Sequence, residues 1–140
     1  MQARTPTVVF RHPLRVYWED TDAGGVVFYA NYLKFFERAR TEWLRALGVG
    51  QQALMEREGL IFVVADTALR YLRPARLDDL LEVTVTVAEA GRASLRLQQQ
   101  AWRDSELLAE GDIRIGCVAA GGAAPFRPCR IPATILEKLP

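Results

Sequence analysis

The spacing of apolar residues changes partway along the chain. Between Tyr32 and Leu47 they recur every three to four positions. With Tyr32 at zero on a helical wheel, Phe35, Phe36, Ala39, Trp43, Ala46 and Leu47 all fall within about 60° of it. The spacing predicts a helix from Asn31, a residue type that starts helices, to Gly48, one that stops them. QQALMERE predicts a second, shorter helix ending at Gly59. Beyond Gly59 the period is two. IFVVADTALRYL (61–72), LLEVTVTVAE (80–89), ASLRLQQQAWR (93–103) and LLAEGDIRIGCV (107–118) read as strands. In LLEVTVTVAE, Leu81, Val83, Val85 and Val87 oppose Glu82, Thr84 and Thr86. AGR and DSE are hairpin-sized connections and predict an antiparallel meander for the last three strands. LRVYW (14–18) predicts a short strand before the long helix. Pro74 predicts a break at the sheet edge between the second and third strands, and Pro128 and Pro132 bracket a tail with a last helical turn.

Strand, long helix, four strands is a two-layer α+β arrangement, a five-stranded antiparallel sheet curling about one nearly all-round buried helix. The open sheet edges, and apolar residues on both faces of some strands, predict copies paired edge to edge in a dimer or a dimer of dimers.

Length and composition narrow this picture. The 140 residues suit one domain, taken as 1–140, with half the residues hydrophobic and a quarter charged. A net charge of +1 gives no electrostatic footprint for nucleic acid. Two cysteines, Cys117 and Cys129, are too few and too irregularly spaced for a disulfide framework or a zinc site, and read as reduced and structural. MQARTPTVVFRHPL lacks the apolar region of a secretory leader, and no run is long enough to insert in a membrane. The expectation is a soluble, cytoplasmic protein.

The chemically unusual stretch is WEDTDAGGVVFYANY. Glu19, Asp20 and Asp22 crowd three carboxylates into four positions, followed by Gly24 and Gly25, just ahead of the long helix. One reading is a strand-to-helix connection whose acids cap the helix and favour its positive end. That reading leaves unexplained why three acids are needed, and why Gly-Gly-Val-Val separates them from the helix start. Arg40 is the second anomaly. It falls about 80° from Tyr32, inside the apolar stripe, and needs a partner there, for which Glu37 or Asp20 is within reach. The only histidine, His12, precedes the first strand and reads as exposed.

VYWEDTDAGGVVFYANYLKFFERARTEWLR (16–45) and YLRPARLDDLLEV (71–83) closely resemble the hotdog-fold acyl-CoA thioesterases of the 4-hydroxybenzoyl-CoA thioesterase family. The similarity is greatest to the YbgC-like, Tol-Pal-associated branch, and with the strand order it covers about residues 13–132. It implies a long helix wrapped by the sheet, dimers joined through their sheets, an active site at the subunit interface, and hydrolysis of acyl-CoA without metal or organic cofactor. The family's catalytic aspartate is the second Asp of DTDAGG, here Asp22, suited to act as covalent nucleophile or as general base. Gly24, Gly25 and Val26, with backbone N–H groups at the following helix start, are then where the thioester approaches. Tyr29, Asn31 and Tyr32 are candidates to line the acyl pocket, against the alternative that they are core. Members of the branch commonly carry His at the position of Tyr29. Arg70, Arg73, Arg76 and Arg92 are candidates for the CoA phosphates, against a solvated basic rim. Arg40 and Glu37 are expected to support the site structurally, although another hotdog branch takes its carboxylate from the long helix.

Two rival functions are weighed. A hotdog hydratase would use a His beside a carboxylate, and no His stands in or after the glycine loop. A non-catalytic acyl-carrier or envelope-complex binding module would keep the pocket with Asp22 only structural.

Overall fold

The structure, a computed structural model, describes residues 7–140; residues 1–6 of the N-terminal stretch and of the predicted 1–140 unit lie outside it. The elements are β1 (Val8–Arg15), α1 (Tyr32–Ala46), α2 (Gln51–Glu58), β2 (Leu60–Tyr71), β3 (Leu80–Ala90), β4 (Ser94–Arg103), β5 (Glu106–Ala119) and α3 (Ala133–Leu136). Single 3-10 turns at Trp18–Asp20 and Tyr29–Asn31 lie between β1 and α1. The strands form one antiparallel sheet in the order β1-β3-β4-β5-β2. The predicted α+β arrangement of a long helix and a five-stranded sheet is therefore present.

Alternation builds the core. Leu81, Val83 and Val85 of β3, Leu95 and Leu97 of β4, and Ile113 and Ile115 of β5 are buried in one cluster with Phe35, Phe36, Ala39 and Trp43 of α1. Each of the larger side chains among them contributes about 1.5–3 kcal/mol by leaving water. Gly111 on β5 makes the approach possible, since a Cβ there would lie 2.8 Å from Leu69 Cδ2 and 3.1 Å from Phe36 Cε2. Gly59 stops α2 in the left-handed region at φ +64°, where a side chain is strained.

Four expectations are corrected. The first strand runs over Val8–Arg15 rather than 14–18. It ends early because Val16 exchanges backbone bonds with Asp78 and Asp79, while the Asp20 carboxylate takes the Tyr17 N–H and pulls the chain into a turn. Pro13 is accommodated because β1 is an edge strand. His12 lies within that strand opposite Val83, half-buried rather than exposed. Pro74 stands in the connection between β2 and β3, but those strands are not neighbours, because β4 and β5 separate them. Finally, α1 is not buried all round. Leu33, Lys34, Glu37 and Arg38 form an exposed side, because the sheet of a single chain covers only one side of the helix.

Candidate active site

The acidic loop is a miniature hairpin held against the connection that follows β2. Thr21 bridges Val27, Val26 bridges Arg76, and Val27 N–H donates to the Ala75 carbonyl at 2.8 Å. At its tip, Asp22 N–H donates to the Val26 carbonyl (2.9 Å) and Gly25 N–H to the Asp22 carbonyl (3.1 Å). Gly25 sits at φ +78°, the left-handed conformation this turn requires. Gly24 N–H donates to Asp22 Oδ1 at 2.8 Å, and a Cβ on Gly24 would lie 3.2 Å from that same oxygen. Gly24 therefore keeps the space beside the carboxylate open. The Asp22 side chain is exposed and has no ion-pair partner among the described residues.

Asp20 is its opposite. It is 3% exposed; its Oδ2 accepts from Tyr17 N–H and its Oδ1 from Asn31 Nδ2, both at 2.8 Å. Asn31 thus does not cap α1. Its own backbone is helical (φ −70°, ψ −22°), and its buried side chain is spent on Asp20. No acid lies in the first turn of α1, so the capping explanation for the loop fails. The turn Tyr29–Asn31 runs straight into the helix and advances its N-terminus to Tyr29.

Tyr29 is 64% exposed and stands edge-on to Tyr71, with ring centroids 6.3 Å apart. The Tyr71 hydroxyl donates to the Tyr29 carbonyl at 2.9 Å, tying the end of β2 to the start of the helix. Burial raises the Tyr71 pKa, with Tyr29 adding to the effect. Tyr32 is core, its hydroxyl accepting the Ala75 N–H at 3.3 Å, and burial raises its pKa against that bond. Tyr29 and Tyr71 together head a groove of 730 Å³ between the exposed side of α1 and β2.

Arg40 lines that groove, but its partner is neither Glu37 nor Asp20. Nη1 donates to Gln99 Oε1 at 3.0 Å. Glu37 accepts from Thr41 Oγ1 instead, and Asp20 is already filled by Tyr17 and Asn31. Burial lowers the Arg40 pKa, with Glu37 opposing. Gln99 is fully buried, its Nε2 donating to the Phe36 carbonyl at 3.0 Å. Sequence reasoning passed over Gln99, although the signal was there: it takes an inward beat of β4 between Leu97 and Ala101, where the alternation calls for an apolar residue.

The arginines divide. Arg76 is exposed, and its backbone bridges the loop at Val26. Arg70 lies near the end of β2, loosely paired with Glu110 (3.5 Å), and Arg73 follows that strand, loosely paired with Glu106 (3.7 Å). Arg92 does not join them. It lies in the β3–β4 hairpin, at the opposite end of the sheet from the loop, about 30 Å away by strand length. Arg103, unanticipated, bonds Asp79 at 2.7 Å and the Pro74 carbonyl at 3.2 Å, and so anchors the connection on which Arg73 and Arg76 stand. No group of three or more His, Cys, Asp or Glu able to hold a metal occurs among the described residues.

Residues 16–139 match the thioesterase-like superfamily, almost the whole chain. The chain belongs to that superfamily. Its fold is the hotdog fold, and it is a thioester hydrolase with YbgC-like relatives. It is 47% identical to the acyl-CoA thioesterase YbgC of Haemophilus influenzae over 83% of this chain and 85% of that one. With the acyl-CoA thioester hydrolase YbgC of Escherichia coli O6:H1 the identity is 43%, over 94% and 96%. A crystal structure of a probable thioesterase from Bartonella henselae superposes with a TM-score of 0.81 at 33% identity, over 87% of this chain and 98% of that one.

Proposed function

We propose that this protein hydrolyses acyl-CoA thioesters to a free acid and CoA at the Asp22 loop. The observation that carries the reading is an exposed carboxylate with no ion-pair partner among the described residues, at a glycine turn that leads to a helix start, in a chain of the thioesterase superfamily. As general base, Asp22 takes a proton from water as the water oxygen bonds to the thioester carbon. As nucleophile, its own oxygen bonds to that carbon first, and water then opens the resulting anhydride. In both routes the C–S bond breaks and the sulfur leaves, protonated, as the CoA thiol. The Asn31 N–H is taken by the Phe28 carbonyl, so the N–H groups of Tyr29 and Ala30 at the helix start are the donors for the carbonyl oxygen, helped by the helix dipole; one such donor is worth about 10²–10³-fold in rate. Gly24, Gly25, Val26 and Tyr29 contact the substrate, Asn31 and Tyr32 hold the loop and turn behind them, and Arg70, Arg73 and Arg76 meet the CoA phosphates; Arg92 is left out of this set.

Because Asp22 is not among the residues lining the groove, a single chain leaves the site open. A second copy laid along the free β2 edge completes it, in a homodimer or a dimer of dimers. Both cysteines are unpaired, which suits a reducing cytoplasm.

Thiol release from short, long and aromatic acyl-CoAs tests the reading, comparing the protein with Asp22→Asn. The amide oxygen can still accept the Gly24 N–H, so the variant is expected to fold and to lose about 10³-fold or more in turnover. Equal activity in the variant would remove Asp22 from the chemistry. Absence of turnover in the wild type would favour the non-catalytic binding module.

A further inference from the structure

The groove between α1 and β2 is apolar along most of its length but carries a fixed cation from the helix. Leu33, Val64, Leu69 and Ile113 line it, with Tyr29 at its head. Arg40 stands two helical turns beyond Leu33, about 10 Å along the axis. The charged groups lining the groove all belong to α1, and they are two cations, Lys34 and Arg40, against one carboxylate, Glu37. From β2 only Val64, Thr67, Leu69 and Tyr71 take part, while Asp66 is drawn to the register of Arg114.

Arg40 is held in an unusual way for a half-buried guanidinium. It forms no ion pair within 4.0 Å among the described residues, and its one side-chain partner is a neutral amide. That amide cannot turn away. Gln99 is fully buried and its Nε2 is committed to the Phe36 carbonyl at 3.0 Å, which leaves Oε1 aimed at Arg40. A guanidinium has five N–H donors in a rigid fork, so most remain free after one bond to Gln99. A partly desolvated cation that Glu37 influences only through space, without an ion pair, is a receptor for a carboxylate, which it takes with two parallel bonds.

We propose that Arg40, positioned by Gln99, is a carboxylate-binding subsite at the distal end of the acyl groove, so that the enzyme favours acyl chains bearing a terminal carboxylate. The proposal rests on the thioesterase reading above and adds the class of acyl group. The carboxylate of the substrate pairs with Arg40, the methylenes lie along Leu33, Val64 and Leu69, and the thioester reaches back past Tyr29 toward the loop. Gln99 is a positioning residue that does not touch substrate.

The test compares kcat/KM for thiol release from matched pairs, suberoyl-CoA with octanoyl-CoA and sebacoyl-CoA with decanoyl-CoA. Wild type, Arg40→Gln, Arg40→Lys and Gln99→Glu are assayed. The wild type is expected to prefer the carboxylated member of each pair. Arg40→Gln should reduce that preference by about ten- to a hundredfold, the range of a charge-assisted hydrogen bond, and Arg40→Lys should retain part of it. Gln99→Glu sets a carboxylate against Arg40 while keeping the guanidinium, and should also reduce the preference; it serves as the second variant should Arg40→Gln fail to fold. A wild-type ratio near one, or a ratio unchanged by all three substitutions, overturns the subsite while leaving the hydrolase reading intact. A changed sedimentation coefficient in Arg40→Gln with an unchanged ratio also overturns it, by assigning Arg40 to a contact between copies. If the wild type hydrolyses none of the four but does hydrolyse short or aromatic acyl-CoAs, the subsite is overturned and the hydrolase reading stands; if it hydrolyses no acyl-CoA at all, the thioesterase reading fails. Calorimetric titration with free sebacate then decides the subsite: weaker binding to Arg40→Gln supports it and equal binding overturns it.

Discussion

Asp20 and Asp22 are two residues apart and chemically identical, yet the fold gives them opposite surroundings. Asp20 is sealed beneath the loop and accepts from Tyr17 N–H and Asn31 Nδ2. Asp22 stands in solvent with a single backbone bond. Truncating Asp20 leaves one buried donor, Asn31 Nδ2, and one part-buried donor, Tyr17 N–H, without a charged acceptor; such a bond is worth about 1.5–3 kcal/mol when buried and less where water can replace it. Asp20→Ala is therefore expected to destabilise by about 2–4 kcal/mol in urea unfolding, whereas Asp22→Asn should stay within about 0.5 kcal/mol of wild type, as surface changes do. The sequence marked the cluster as anomalous but did not by itself separate its members, because the separation depends on Asn31, eleven positions away, turning its side chain back. The same limit applied at Arg40. Its wheel angle showed it inside the apolar stripe, but its partner Gln99 lies 59 positions on in a different strand, beyond any local rule.

Elements whose character depends on their own periodicity were legible almost to the residue. The strand expected at 80–89 is Leu80–Ala90, the one at 93–103 is Ser94–Arg103, and α1 begins and ends within two residues of its signals. β1 was not legible, because Pro13 lies inside it, and only the sheet order reveals that this strand is an edge where a proline is tolerated. Packing between elements is likewise invisible in a pattern of beats. Gly111 occupies an inward position of β5 because Phe36, Leu69 and Ile113 close in over it. Gly111→Ala would place a Cβ 2.8 Å from Leu69 Cδ2 and 3.1 Å from Phe36 Cε2. The Leu69 methyl can swing aside, but the ring of Phe36 sits on the helix and is held by the core, so the helix and sheet must part slightly. The expected cost is about 1–3 kcal/mol of overpacking, read as a lower midpoint in thermal or urea unfolding; an unchanged midpoint would mean that α1 is less tightly seated on β5 than this contact indicates.

At the scale of the whole molecule the unfinished feature is β2. It is twelve residues long, lies at the free edge of the sheet, and leaves Val64 50% and Tyr71 46% exposed. Leu33 on the facing side of α1 is 43% exposed. A long edge with apolar groups beside it is a surface that proteins normally cover. In the proposed dimer a second copy related by a two-fold axis would cover it with the same residues, so one substitution would act twice. Val64→Glu is the sharpest probe, because Val64 points into the groove and makes no hydrogen bond by its side chain, so an isolated chain tolerates the change. Across a two-fold interface it buries two unpaired carboxylates near each other, which raises the dissociation constant by about a hundredfold or more. Sedimentation velocity should then show the variant as a monomer where the wild type is a dimer or larger. If the site is completed by the second copy, thiol release should fall with the loss of dimer and return at high protein concentration, a dependence that direct damage to the Asp22 loop, or to the acyl groove that Val64 itself lines, would not produce. A variant that stays dimeric would move the interface to another face of the sheet, and one that is monomeric yet fully active would make the single chain sufficient for hydrolysis.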